Sequence, residues 1–215
     1  MTPIFSTMPI ALSGGTTLAS VLTLVLSVVL WVGLSIFIGW TLSKVMHNQG
    51  MKTKPVFIMV ISAVFSILLI ARYGLSITAI QGLFLLYVLV YASCSDITTH
   101  TVDDWLWLMV VALGLVSCST IGFGSMLLGA VCVFVPQIAM ALLPPHKTLG
   151  GADIKLSTAL AFLLGGWRGI GAYLIGLVLA VIVMSIYNKY KCRCKKKPFA
   201  LVPFLSIGAM IMFLI

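Results

Sequence analysis

Long uninterrupted apolar stretches dominate the hydrophobic pattern of this chain. Most of them run without charge over about the 17–25 residues that a helix needs to cross a bilayer, instead of alternating as in a soluble core. The pattern predicts eight transmembrane helices, at 20–43, 55–71, 75–95, 104–119, 121–143, 153–166, 169–187 and 198–215. The fourth and the sixth are short for a full crossing, and only the small residues of "VSCSTIGFG" separate the fourth from the fifth.

Composition supports a membrane protein and excludes a soluble domain. The 215 residues are 61% hydrophobic and 8% charged, and the mean hydropathy is +1.21. A soluble domain carries about 25% charged residues, so this chain has too few charged residues to cover a water-exposed surface. We therefore predict an all-α, polytopic membrane protein. Residues 1–19 contain no Lys or Arg, which favours a lead-in to the first helix over a signal peptide.

The basic residues predict how the helices are oriented. One set of alternate loops contains eleven of the thirteen: Lys44, Lys52, Lys54, Lys147, Lys155, Lys189, Lys191, Arg193, Lys195, Lys196 and Lys197. The opposite side has Arg72 and Arg168. The positive-inside rule places the rich side in the cytoplasm and both termini outside. The net charge of +9 therefore mainly reflects the basic residues of the loops predicted to be cytoplasmic. It could also attract anionic lipid headgroups, whereas no motif suggests nucleic acid binding.

The acidic residues fall in two short stretches at the predicted cytoplasmic edge. The chain has no glutamate, and its aspartates are Asp96, Asp103, Asp104 and Asp153, in "SDITTHTVDDW" and "GGADIKL". Carboxylates at membrane depth are costly and suggest function. Alternatively, Asp153 N-caps its helix and Asp96 pairs with a lysine, or the acids serve a proton or ion pathway.

Two aspartates that meet at helix ends have a specific chemistry. In close proximity they share one proton, so one is ionised and the other neutral. The ionised carboxylate can take a proton from water while the neutral one polarises a peptide carbonyl. This is aspartic proteolysis, which needs no metal and no cofactor. The glycines before Asp153 would allow a close backbone approach there.

Three motifs resemble the type IV prepilin peptidases, which are intramembrane aspartic proteases. "GGADIKL" resembles their Gly-x-Gly-Asp motif, "DITTHTVDDWL" their first aspartate motif, and "KPFALVPFLSIGA" the start of their last helix. The resemblance covers about residues 75–215 and implies a six-helix catalytic core there. Residues 1–74 would form two further helices joined by a short basic cytoplasmic loop.

The resemblance implies Asp96 and Asp153 as the catalytic pair. It also implies a supporting role for the residues around the second aspartate, namely Gly150, Gly151, Ala152 and Lys155. The chain departs from the family at three positions. Ala152 replaces the second glycine of the motif, Asp103 replaces a proline, and Asp104 stands where asparagine is frequent.

By resemblance, the enzyme would remove the basic leader of type IV prepilins or pseudopilins at the cytoplasmic face of the bacterial inner membrane. Its partners would be that substrate and membrane lipid, while the particular prepilin and the oligomeric state stay open. Alternatives are a protease with another membrane substrate, a small proton or ion transporter, and a catalytically silent assembly subunit.

A short loop and the cysteines limit the activities that we expect. Residues 44–55 are too few for the cysteine-containing methyltransferase segment of many family members. Cys192 and Cys194 provide two of the roughly four ligands that zinc requires, so we expect no metal site. Cys94, Cys118 and Cys132 lie in or near predicted helices, where thiols pack readily.

The polar residues between the two motifs have alternative roles. Asp103 and Asp104 could attract a basic leader to a cationic protein face. Alternatively, they balance Lys147 or a lysine of the run 189–197. His100 could tune the aspartate site, but a solvated loop histidine is the simpler interpretation.

Overall fold

A computed structural model describes residues 18–51, 54–142, 150–190 and 200–215. Across these ranges the regular structure is helical, with no strand. In chain order the helices are α1 (Leu18–Asn48), α2 (Pro55–Tyr73), α3 (Ile77–Thr99), α4 (Asp104–Val116), α5 (Cys118–Ile121), α6 (Phe123–Leu142), α7 (Gly151–Leu164), α8 (Gly166–Tyr190) and α9 (Val202–Leu214). The predicted all-α class is confirmed.

Each predicted transmembrane segment overlaps with a helix, although α1 continues to Asn48 and α9 begins only at Val202, and the fourth segment is divided. Ser117 separates α4 from the single turn α5. The sixth segment ends at Gly165, whose φ of +79° suits glycine and stops α7 two residues earlier than predicted. The division of the chain at residue 74 stays a prediction.

Within the described ranges, five helices are long and apolar enough to cross a membrane: α1, α2, α3, α6 and α8. Two apolar helices are shorter, α4 and α9, with 13 residues each. The outward faces expose large apolar side chains, including Phe57 at 68%, Val181 at 63% and Leu128 at 65%. Such a surface is covered by lipid rather than water. The protein is a multi-pass membrane protein, while the number of crossings stays a prediction.

Helix α3 lies at the centre of the bundle. Its most apolar window is 56% buried, against 11–28% for the other four long helices, and it contacts α1, α2, α4 and α9. The Tyr87 hydroxyl donates to the Ser35 carbonyl of α1 at 2.6 Å. The Ser117 hydroxyl donates to Gln81 Oε1 of α3 at 2.8 Å. These bonds attach α1 and the end of α4 to the central helix.

Helix α9 connects the central helix to the C-terminal helices, since it contacts α3, α7 and α8. Small residues bring α8 and α9 together, as is common between membrane helices. A Cβ added at Gly208 would collide with the Ala172 carbonyl oxygen and lie 2.8 Å from the Gly176 nitrogen.

Arg72 and Arg168 lie at the same end of the bundle, as the charge pattern predicts. Both donate to the carbonyl oxygen of Ile215, at 2.9 Å and 3.5 Å. Which end faces the cytoplasm stays a prediction.

Candidate active site

Asp96 lies in the last turn of α3, not just beyond it. The helix continues to Thr99, four residues past the predicted end. His100 stops it in the left-handed conformation, with φ of 54°, and its N–H donates to the Asp96 carbonyl oxygen at 3.1 Å. The side chain of His100 is exposed, while Asp96 is only 7% exposed. The aspartate is therefore directed into the bundle.

The Asp96 carboxylate caps α9, which begins 106 positions later in the chain. Its Oδ2 accepts a hydrogen bond from the Val202 N–H at 3.0 Å. The first N–H groups of a helix have no partner inside the helix. At α9 the N-cap residue Leu201 offers no side-chain acceptor, and Pro203 has no N–H. Asp96 thus supplies the acceptor that the local sequence lacks.

A second contact holds α3 against α9 one turn deeper. Ser93 Oγ and Ser206 Oγ are 3.0 Å apart and share a hydrogen bond. The Ser206 hydroxyl also bonds to the Val202 carbonyl oxygen at 2.8 Å. Two polar contacts on successive turns therefore orient Asp96 relative to α9.

Asp153 lies in the first turn of α7, but it is not the N-cap residue. That position belongs to Gly150, which makes no side-chain capping bond, so the alternative role of Asp153 as N-cap is wrong. A Cβ added at Gly150 would lie 3.0 Å from Asp153 Oδ2, whereas one at Gly151 would meet nothing within 4 Å. Gly150 therefore leaves room for the carboxylate, while Gly151 faces open space. Ala152 is half-buried beside them.

The fold brings the two sequence-predicted aspartates together. The carboxylates of Asp96 and Asp153 are close enough for their charges to interact. This proximity follows from α9, which contacts both α3 and α7. Within the described residues no lysine forms an ion pair with Asp96, and its carboxylate accepts from the Val202 N–H instead. Two negative charges at this separation repel each other, which favours a pair with one ionised and one neutral carboxyl group.

The geometry around Gly150 yields a prediction with a matched control. Gly150→Ala should displace the Asp153 carboxylate and lower any activity that depends on it by about tenfold, because a small misplacement of a catalytic group is costly. Gly151→Ala adds the same methyl group in open space and should change activity by less than about twofold. Rates of both variants in matched membranes would decide; equal losses would contradict the assigned geometry.

Lys155 and Asp104 form an exposed ion pair, with Nζ and Oδ1 2.7 Å apart. Asp104 is therefore paired with Lys155, while Lys147 and most of the run 189–197, the predicted partners, lie outside the described residues. Asp103 directly precedes α4, and its Oδ2 accepts a hydrogen bond from the Tyr91 hydroxyl at 3.3 Å. Within the described ranges the two neighbouring acids therefore have different partners, because Asp104 pairs with a lysine and Asp103 accepts from a tyrosine hydroxyl.

Sequence reasoning missed a buried polar contact behind Asp153. Gln137 of α6 and Ser157 of α7 are 1% and 3% exposed and hydrogen-bond side chain to side chain at 2.8–2.9 Å. Ser157 follows Asp153 by one helical turn. The sequence did contain an indication of this contact, since a glutamine directly follows Pro136 within a mostly apolar helix.

Several predictions concern residues outside the described ranges, among them Lys147, the paired Cys192 and Cys194, and most of the basic run. The described cysteines Cys94, Cys118 and Cys132 are free thiols.

The fold and the site define a multi-pass helical membrane protein with two interacting aspartates at one end of its bundle. Comparison with known families agrees. The model of the type IV leader peptidase family matches residues 83–187, a segment that contains both aspartates. This match supports a prepilin peptidase-like protein and a peptidase, in agreement with the resemblance of the sequence motifs. Searches of curated proteins and of solved structures found no match to the chain.

Proposed function

We propose that this protein is an intramembrane aspartic endopeptidase that removes the leader of prepilin-like proteins at the cytoplasmic face of the bacterial inner membrane. One observation carries the proposal: within the segment that matches a peptidase family, Asp96 and Asp153 lie close enough for their charges to interact. The family match supplies the reaction class, and the carboxylate pair supplies the chemistry.

The two carboxylates would have different roles in peptide hydrolysis. The ionised one takes a proton from water, which attacks the carbonyl carbon of the scissile bond. The protonated one donates to the carbonyl oxygen and stabilises the tetrahedral intermediate. Collapse of the intermediate breaks the C–N bond, and the leaving amine takes up a proton from the pair. The hydrogen bond from Val202 holds Asp96 in position for this exchange.

The position of the pair suits a substrate with a polar leader and an apolar helix. Asp96 lies in the last turn of a membrane-length helix, and Asp153 lies in the first turn of α7. A bond at the junction between leader and apolar helix would reach this depth when the substrate helix is in the bilayer. The excess of Lys and Arg in the alternate loops predicted on the same side as both aspartate motifs supports a cytoplasmic location by the positive-inside rule.

Co-expression with a prepilin-like protein of the same cell tests the proposal. We expect a shorter product whose new N-terminus, read by sequencing, directly precedes the apolar helix. The double variant Asp96→Asn/Asp153→Asn provides the background. Equal product with the double variant, or no product with correctly inserted unmodified protein, would contradict the proposed activity.

Asp103 is the better of the two neighbouring acids for attracting a basic leader, because Lys155 already offsets the charge of Asp104. Asp103→Asn should raise KM for a basic-leader substrate about two- to fivefold, the size expected for an exposed charge pair. Asp104→Asn should have the smaller effect. A substrate whose leader lysines are replaced by glutamine should not distinguish Asp103→Asn from the unmodified enzyme. An unchanged KM for the basic leader would end this assignment.

A further inference from the structure

Gln137 and Ser157 form a buried hydrogen-bonded pair between α6 and α7, close to one of the two aspartates. The Ser157 hydroxyl lies 2.8 Å from Gln137 Nε2 and 2.9 Å from its Oε1, so it can bond to either end of the amide. Residues four apart lie on the same face of a helix, one above the other. The pair therefore joins α6 to the turn of α7 that directly follows Asp153.

The same amide also connects a third helix. Tyr173 of α8 hydrogen-bonds with Gln137, and Tyr173 and Ser157 line the same small cavity. Helix α6 packs against both α7 and α8. Gln137 is thus a polar junction of three helices in an otherwise apolar part of the bundle.

The other contacts at the start of α7 hold Asp153 less firmly. The N-cap residue Gly150 makes no side-chain capping bond. The ion pair of Lys155 is exposed, and exposed ion pairs contribute little. Helix α6 packs closely on α7 where a Cβ added at Gly129 would lie 2.8 Å from the Ala161 carbonyl oxygen, but that contact is more than two helical turns from Asp153.

A buried polar pair fixes the register of a helix, which apolar packing does less sharply. A slip of α7 by one residue would move Asp153 by about 1.5 Å along the axis and turn it by about 100°. The same slip would separate the Ser157 hydroxyl from the Gln137 amide. Separated hydrogen-bonding groups are costly in an apolar interior, so the pair opposes the slip.

We propose that Gln137 is a positioning residue, which sets the register of α7 through Ser157 and thereby the position of Asp153 relative to Asp96. An amide is neither an acid nor a base at neutral pH, so its effect passes through the helix. On the other side of the site, the contact between Ser93 and Ser206 orients Asp96 in a similar way. The inference rests on the proposed function, in which both carboxylates act on one peptide bond.

Gln137→Leu tests the proposal, because it removes the amide and keeps a side chain of similar size. Ser157 retains its bond to the Ile154 carbonyl oxygen at 3.1 Å. We expect kcat for leader cleavage to fall about tenfold or more, since a small misplacement of a catalytic group is costly. KM should change by less than about twofold, because a loss confined to kcat marks a contribution to the transition state rather than to substrate binding.

Ser157→Ala keeps the test decisive if Gln137→Leu does not fold. It removes a single hydroxyl and should lower kcat in the same way, again with KM unchanged. Because both substitutions break one contact, their effects should not add in the double variant.

Gln81→Leu is the matched control for the loss of a buried amide. Gln81 is 5% exposed and hydrogen-bonds to the Leu113 carbonyl oxygen and the Ser117 hydroxyl. It lies about 22 Å from Asp96 along α3. The variant should lower the midpoint of thermal unfolding, while kcat of the folded protein stays within about twofold.

A distance between two spin labels tests the position of α7 without any substrate. The labels would be attached at Ile97→Cys and Gly151→Cys, in a chain whose five native cysteines are replaced by serine. Both positions are exposed and lie beside the aspartates. In Gln137→Leu the distance should shift or its distribution broaden by at least about 1.5 Å, the rise of one helical residue. Gln81→Leu should leave it unchanged.

Three results would overturn the positioning role: unchanged kcat in Gln137→Leu and Ser157→Ala, an unchanged label distance in Gln137→Leu, or an equal loss of kcat in Gln81→Leu. Failure of the proposed function looks different. The unmodified protein would then cut no prepilin-like substrate, while the label distance would still respond to Gln137→Leu and support its role in setting the helix register.

Discussion

Asp153→Asn and Asp96→Asn should each lower the rate of leader cleavage by about 10²–10⁴-fold, the contribution of a positioned acid or base. Asparagine keeps the size and polarity of the side chain but cannot take up or release a proton. Each single variant should therefore approach the background of the double variant, because residues that act as a unit do not contribute additively.

The structural role of Asp96 allows a control that separates chemistry from folding. The amide oxygen of Asp96→Asn can still accept the hydrogen bond from Val202, so α9 keeps its cap. Asp96→Ala loses that acceptor as well and should be less stable by about 0.5–2 kcal/mol, as for lost N-caps. Thermal unfolding in detergent, measured beside cleavage, distinguishes the two effects. Cleavage retained in either asparagine variant would remove that residue from catalysis.

Gly208→Ala is expected to produce the largest loss of stability from a single methyl group. The added Cβ would collide with the Ala172 carbonyl oxygen and lie 2.8 Å from the Gly176 nitrogen. Both are backbone atoms, so α8 and α9 must separate. Overpacking of this kind costs about 1–3 kcal/mol. Because α9 also carries Val202, the separation should disturb the cap on Asp96 and lower cleavage as well.

Gly33→Ala is the matched comparison for this prediction. Gly33 lies within α1, and a Cβ there would meet nothing within 4 Å. Alanine in a helix interior is better than glycine by about 0.5–1 kcal/mol, so stability should hold or rise. The midpoint of thermal unfolding in the same detergent reports both variants. A Gly208→Ala protein as stable as the unmodified one would contradict the close packing of α8 and α9.

The positions of the helices were predictable from sequence because the bilayer sets the length of an apolar segment. Their ends were less predictable. Helix α3 ends only at Thr99, where His100 adopts the left-handed conformation, so Asp96 lies within the helix. At the start of α7, Gly150 occupies the N-cap position that Asp153 could have occupied. These outcomes depend on the backbone conformation of single residues, which hydropathy does not report.

By itself, the sequence determined the all-helical membrane class and the family resemblance and pointed to Asp96 and Asp153 as candidate site residues, because apolar length and scarce charge are properties of the linear chain. Only the tertiary structure decided that Asp96 caps α9 and that Lys155 pairs with Asp104. Each of these is a contact between helices distant in the chain. Such contacts depend on side-chain packing between helix faces, which no local pattern encodes.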